Sequence, residues 1–114
     1  MTMNYGNSFI FVKQTFVMHI IFSHIGKQLA TRRAGSAVRN NIIEGIENNE
    51  NIIFDFAGVE IVSNSFADEC FAKLIFHFDL PQFKQHTTFQ NASPFIKAVI
   101  ANSFKERLQS LYTA

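Results

Sequence analysis

The chain has 114 residues, enough for one domain with a real hydrophobic core and too few for a second. Hydrophobic residues make up 47% and charged residues 17%, with a formal net charge of +1. That is a globular composition, and it gives no general case for a nucleic-acid or membrane-surface partner. A lone cysteine, Cys70, excludes an intramolecular disulfide and any multi-cysteine metal site, and makes a reducing cytoplasm the expected location.

In chain order, residues 1–12 lack the basic start, long apolar run and small-residue cleavage site of a signal peptide, and no apolar stretch is long enough to span a membrane. Residues 9–12 and 16–22 are β-branched and aromatic runs, separated at residues 13–15 by a hairpin or tight bend. Over residues 31–46, Ala34, Val38, Ile42 and Ile46 recur every four residues, which predicts a helix that ends in the Asn-rich stretch at 48–51. Residues 52–56, mostly apolar, read as a central strand covered on both faces. Residues 65–78 form an amphipathic helix pattern, with Phe66, Cys70, Phe71, Leu74, Ile75 and Phe78 on one stripe and Asp68, Glu69, Lys73 and His77 opposite. After Asp79-Leu80-Pro81, residues 86–90 read as a further strand. Ser93-Pro94 then supplies the cap and first residue of a last helix, with Phe95, Ile96, Val99, Ile100, Phe104, Leu108 and Leu111 on its stripe.

The order β-β-α-β-α-β-α predicts a single α/β domain, a mixed sheet with helices in two or three layers, in which strands joined through helices run parallel. The loops after strands ending near residues 22, 56 and 90 then leave at one edge, where open α/β sheets bind ligands. That edge should gather Arg32, Arg33, Ser63, Asn64, Ser65, Asn91 and Ser93. Ser65 followed by Asp68 fits a capping box, and Asp68 and Glu69 would place negative charge in the first turn of their helix. Arg32 and Arg33 stand in a first helical turn, where cations are disfavoured. Either they pair with Asp68 or Glu69 across the edge, or an anion or acidic partner offsets them. Gly35 within the same helix suggests close packing against a neighbour.

The Arg32-x-x-Gly35 helix opening, the stretch Phe54-Asp55-Phe56-Ala57-Gly58-Val59-Glu60, Ser65-Phe66-Ala67-Asp68-Glu69 and Asn91-Ala92-Ser93 resemble the STAS-like bacterial domains of unknown function, over about residues 16–107. These are relatives of the sulphate-transporter and anti-sigma-factor-antagonist (STAS) fold. The resemblance implies a regulatory domain switched by phosphorylation of a serine at a strand-to-helix turn, docking an ATPase of histidine-kinase-like fold or an anti-sigma-type regulator. Aligning Asp55 and Val59 with the antagonist pattern puts Asn64, which cannot accept a phosphoryl group, at the phosphoacceptor position, with Ser63 and Ser65 on either side. Asp55 and Gly58 then serve the turn.

Other chemistry is sparse. Cys70 lies on an apolar stripe, and no His-x-His or His-x-x-x-His spacing offers a metal two ligands from one element. We therefore expect no catalytic residue, cofactor or metal. The expected function is a non-enzymatic protein-binding domain that docks through residues 57–69, with a homodimer left open. The alternative is a small-anion or nucleotide sensor that uses Arg32 and Arg33 at the same edge.

Overall fold

The computed structural model describes residues 16–113. Three strands, β1 (Val17–Ile21), β3 (Asn51–Asp55) and β5 (Thr87–Gln90), form a sheet in the order β1-β3-β5. Both pairings are parallel. Two short strands, β2 (Gln28–Leu29) and β4 (Ile61–Val62), make a separate parallel pair. The helices are α1 (Arg32–Glu47), α2 (Asn64–Cys70), α3 (Leu80–His86) and α4 (Pro94–Thr113). This is the expected α/β domain with parallel strands joined through helices. The expected strand at residues 9–12 and the bend at 13–15 lie outside the described residues.

Each strand places alternate residues on opposite faces. On β3 this buries Ile52 and Phe54 and leaves Ile53 and Asp55 half-buried, so β3 is central but is not covered equally on both faces. The core lies on the side of Ile52 and Phe54. It is built from rings: Phe22 stacks on Phe56 at 4.4 Å between centroids, and Phe71 meets Phe54 edge-to-face at 5.2 Å. The chain carries fourteen phenylalanines and no tryptophan, and these ring contacts account for many of them, since offset and edge-to-face pairs add about 0.5–1.5 kcal/mol each beyond area burial. The four-residue period of α1 faces this core as expected, with Val38, Ile42 and Ile46 buried. Thr31 caps its start by accepting from the Ala34 N–H at 3.1 Å. Its end is a Schellman motif: Asn49 takes φ 60°, its N–H donates to Ile46 O, and the Glu50 N–H donates to Gly45 O.

Three expectations need correction. The helix expected over residues 65–78 stops at Cys70 and continues as a 3-10 segment, Ala72–Phe76. There the Leu74 N–H donates to Phe71 O and the His77 N–H to Leu74 O, a three-residue rise that keeps Phe71 and Leu74 buried. No helix was expected at residues 80–86, which form α3 with Asp79 capping the Gln82 N–H at 2.8 Å, so the strand expected from residue 86 begins at Thr87. Only Phe83 of that short helix is buried, so it carries no readable period. On α4, Ile96 and Ile100 are buried, but Phe95 and Leu111 at the two ends of the expected stripe are exposed.

Phe71 contacts the rings of Phe22, Phe54, Phe56 and Phe89. Truncating Phe71 to Ala should therefore lower the unfolding free energy by about 3–5 kcal/mol, as read from urea titrations. A loss near zero would place this ring outside the core.

Candidate functional site

The sheet register aligns Ile21 with Asp55 and Asp55 with Gln90, so all three strands end at one edge. Two groups of side chains form there. The first belongs to the turn after β3. Gly58 takes φ +80°, which an L side chain rarely adopts, and the Val59 N–H closes the turn on Phe56 O. Asp55 Oδ1 accepts from the Ala57 N–H and from Asn91 Nδ2, each at 2.9 Å. Those bonds, that from Asn91 foremost, lower the Asp55 pKa and tie the β3 and β5 loops together. Asp55 thus bonds within the turn that follows β3.

The second group sits where α1, α2 and α4 meet. Ser63 is the N-cap of α2: its Oγ accepts from the Phe66 N–H at 3.0 Å and donates to Ala30 O at 2.9 Å. The cap was expected two residues later, at Ser65. Helix α2 instead starts at Asn64, so Ser65 is its second residue and Asp68 lies beyond the first turn, as does Glu69. Neither acid completes a capping box. Asn64 is exposed at the first helical position.

Both acids are instead gripped by cations. Arg107 of α4 binds Asp68 with two parallel bonds, Nε to Oδ1 at 2.6 Å and the second guanidinium nitrogen to Oδ2 at 2.7 Å. Arg32 of α1 reaches Asp68 at 2.8 Å and Glu69 at 3.1 Å. Glu69 also meets Arg39 at 2.8 Å and Lys73 at 2.5 Å. Arg39 additionally donates to the Glu69 backbone carbonyl. Four cations therefore converge on two carboxylates. The Arg107 pair, with Arg32 behind it, holds Asp68 at a pKa of about 2, and Lys73, then Arg39, do the same for Glu69.

Glu69 was expected opposite the apolar stripe of its helix, yet it is only 7% exposed. The cause is the close approach of α1. A Cβ on Gly35 would lie 2.9 Å from Phe66 O and 3.0 Å from Glu69 Cβ, so α1 covers the flank of α2 that carries Glu69. The pairing expected for Arg32 is present. Arg33, one residue on, is exposed and makes no ion pair or hydrogen bond among the described residues.

Sequence reasoning missed Arg39, Lys73 and Arg107. Lys73 stands four residues after Glu69, a spacing that places the two side by side on a helix. Arg39 follows Arg32 by two turns of α1. Arg107, 39 residues from Asp68, carries no local signal. Between α1, α2 and α4 these residues leave a cleft of about 290 Å³, lined by Arg32, Asn64, Ser65, Asp68, Glu106 and Arg107 with Ser110 at its side. Cys70 behind it is buried, and desolvation raises its thiol pKa well above the usual value, which suits packing rather than reaction. No cluster of His, Cys, Asp and Glu able to hold a metal ion occurs among the described residues, and no helix there is long and apolar enough to cross a membrane.

The family model for the STAS-like domain of unknown function (DUF4325) matches residues 34–97. The chain belongs to this STAS-like family. No curated protein and no solved structure matches it. The STAS-like match takes in Asp55, Gly58, Ser63, Asn64, Ser65, Asp68 and Glu69, while Arg32, Arg33 and Arg107 lie outside it.

The ion-pair group has a pH signature. Both carboxylates have folded pKa values below their ordinary ones, so their stabilisation is complete above about pH 5 and is lost as pH falls toward 2. Each proton taken up on unfolding lowers stability by about 1.4 kcal/mol per pH unit in that window. Urea titrations from pH 7 to pH 2.5 should show this fall in the wild type and a shallower one in Glu69→Gln, which has one of the two groups removed. Equal slopes would mean that Glu69 is not held by its cations.

Proposed function

We propose that this STAS-like domain is a non-enzymatic regulatory module that docks a protein partner through the start of α2, with Asn64 at the centre of the contact. The observation that carries this reading is the display of Asn64. It is an exposed, neutral side chain at the first position of α2, capped from behind by Ser63 and flanked by ion pairs from α1 and α4. A surface held from three elements is preorganised, which lowers the entropic cost of association. The partner class suggested by the resemblance is an ATPase of histidine-kinase-like fold or an anti-sigma-type regulator. Without a phosphoacceptor at position 64, the domain would behave as a constitutively unphosphorylated antagonist.

The anion-sensor alternative has less support. Arg32 and Arg107 are already engaged by Asp68, and the first turn of α2 already spends one of its N–H groups on the Ser63 hydroxyl. Of the two arginines expected at this edge, Arg33 is the one whose side chain has no partner among the described residues.

Replacing Asn64 by Asp tests the docking surface. A carboxylate at the first position of a helix is tolerated by the helix dipole, so urea unfolding should change little. Binding should weaken by more than stability does, because the partner would have to desolvate an added charge. The measurement is a titration of wild type and Asn64→Asp with an anti-sigma-type regulator or an ATPase of histidine-kinase-like fold from the same organism. Ser63→Ala serves as the cap control and should lose about 0.5–2 kcal/mol of stability. Equal affinity for wild type and Asn64→Asp would move the docking surface elsewhere. A rise in melting temperature with phosphate or a nucleotide, abolished in Arg33→Ala, would favour the sensor.

A further inference from the structure

On the far side of α4 from Glu106 and Ser110, an open groove of about 760 Å³ runs between α4, α3 and β5. Its floor is apolar: Phe83 and Phe104 pack at 5.4 Å between centroids, with Phe89, Ile100 and Leu108 beside them. Its rim is cationic. Lys84, Lys97 and Lys105 line it, no Asp or Glu does, and none of the three lysines has an ion pair or hydrogen bond among the described residues.

The wall contributed by α4 has a definite form. Ile100, Phe104, Leu108 and Tyr112 make one ridge at four-residue spacing, and Lys97, Ala101 and Lys105 make a parallel one. Such ridges leave between them the groove that receives the side-chain ridge of a second helix, and Ala101 at the middle permits close approach. From Lys97 to Tyr112 the face runs roughly 22 Å at 1.5 Å per residue, which matches a partner helix of about 15 residues.

We infer that this groove binds an amphipathic helix of a partner protein, whose apolar stripe covers Phe83, Phe104 and Leu108 and whose flanking acidic residues pair with Lys84, Lys97 and Lys105. Charge selects this occupant. A second copy would set one lysine rim against another across a two-fold axis. The chain's own residues 1–15 contain no Asp or Glu. The groove lies away from Asn64, so this inference stands apart from the docking role of α2.

The test uses the full chain and two labelled 15-residue helical peptides with the same leucine stripe, one flanked by Glu and one by Lys, followed by fluorescence anisotropy. The Glu peptide should bind saturably and at least tenfold more tightly than the Lys peptide. The exposed pair Lys97→Glu and Lys105→Glu should reverse that preference. Ala101→Trp, which fills the groove from an exposed position, should abolish binding of both peptides, while Asn64→Asp should leave it unchanged. Equal binding of the two peptides, or binding that survives Ala101→Trp, overturns the proposal. So does laurate displacing the peptide equally well from wild type and the lysine variants, or a dimer in sedimentation velocity that Ala101→Trp dissociates.

Discussion

The contact between α1 and α2 at Gly35 sets the position of almost everything at the candidate site. With hydrogen in place of a side chain at residue 35, the two helices approach until a Cβ there would meet the Phe66 carbonyl oxygen at 2.9 Å. That closeness puts Arg32 and Arg39, on the same helix, within reach of Glu69, and it takes Glu69 out of water. A buried carboxylate is tolerable only when its charge is met, and here three cations meet it. The ion-pair cluster is thus a consequence of helix packing as much as a cause of it.

Asp68 extends the same logic to α4. Through Arg107 it fixes the last helix against α2, and the Arg107 guanidinium also lies 5.9 Å from the centroid of the Phe76 ring. Three helices remote in sequence therefore meet at two adjacent acids, and Asn64 is displayed in the angle between them. A function that depends on a rigid surface is compatible with this arrangement. A site that must open to admit an anion would first have to release Asp68 from two arginines.

The fold was largely legible because its signals are local. Val38, Ile42 and Ile46 repeat at helical spacing, and residues 52–56 are dense in β-formers. Helix α3 was hidden because seven residues with one buried phenylalanine set no period. The break after Cys70 was hidden because Phe71 and Leu74 suit an α-helix and a 3-10 turn equally well. At the site, the pairing of Arg32 with the acids was readable from the awkwardness of a cation in a first helical turn. The capping residue was read two places late, since Ser63 and Ser65 are chemically alike and only the backbone decides between them. Arg107 could not be read at all, because its partner lies 39 residues away and no local pattern joins them.

The dependence on Gly35 is tested most directly by the equilibrium urea unfolding of Gly35→Ala. Alanine is the better helix former by about 1 kcal/mol, so an open site would gain stability. The expected result is a net loss of about 1–3 kcal/mol, because the added methyl group meets backbone atoms of α2 that cannot give way without separating the helices. A neutral or stabilising Gly35→Ala would contradict the account, since α1 and α2 would then have room to spare and the burial of Glu69 would need another cause.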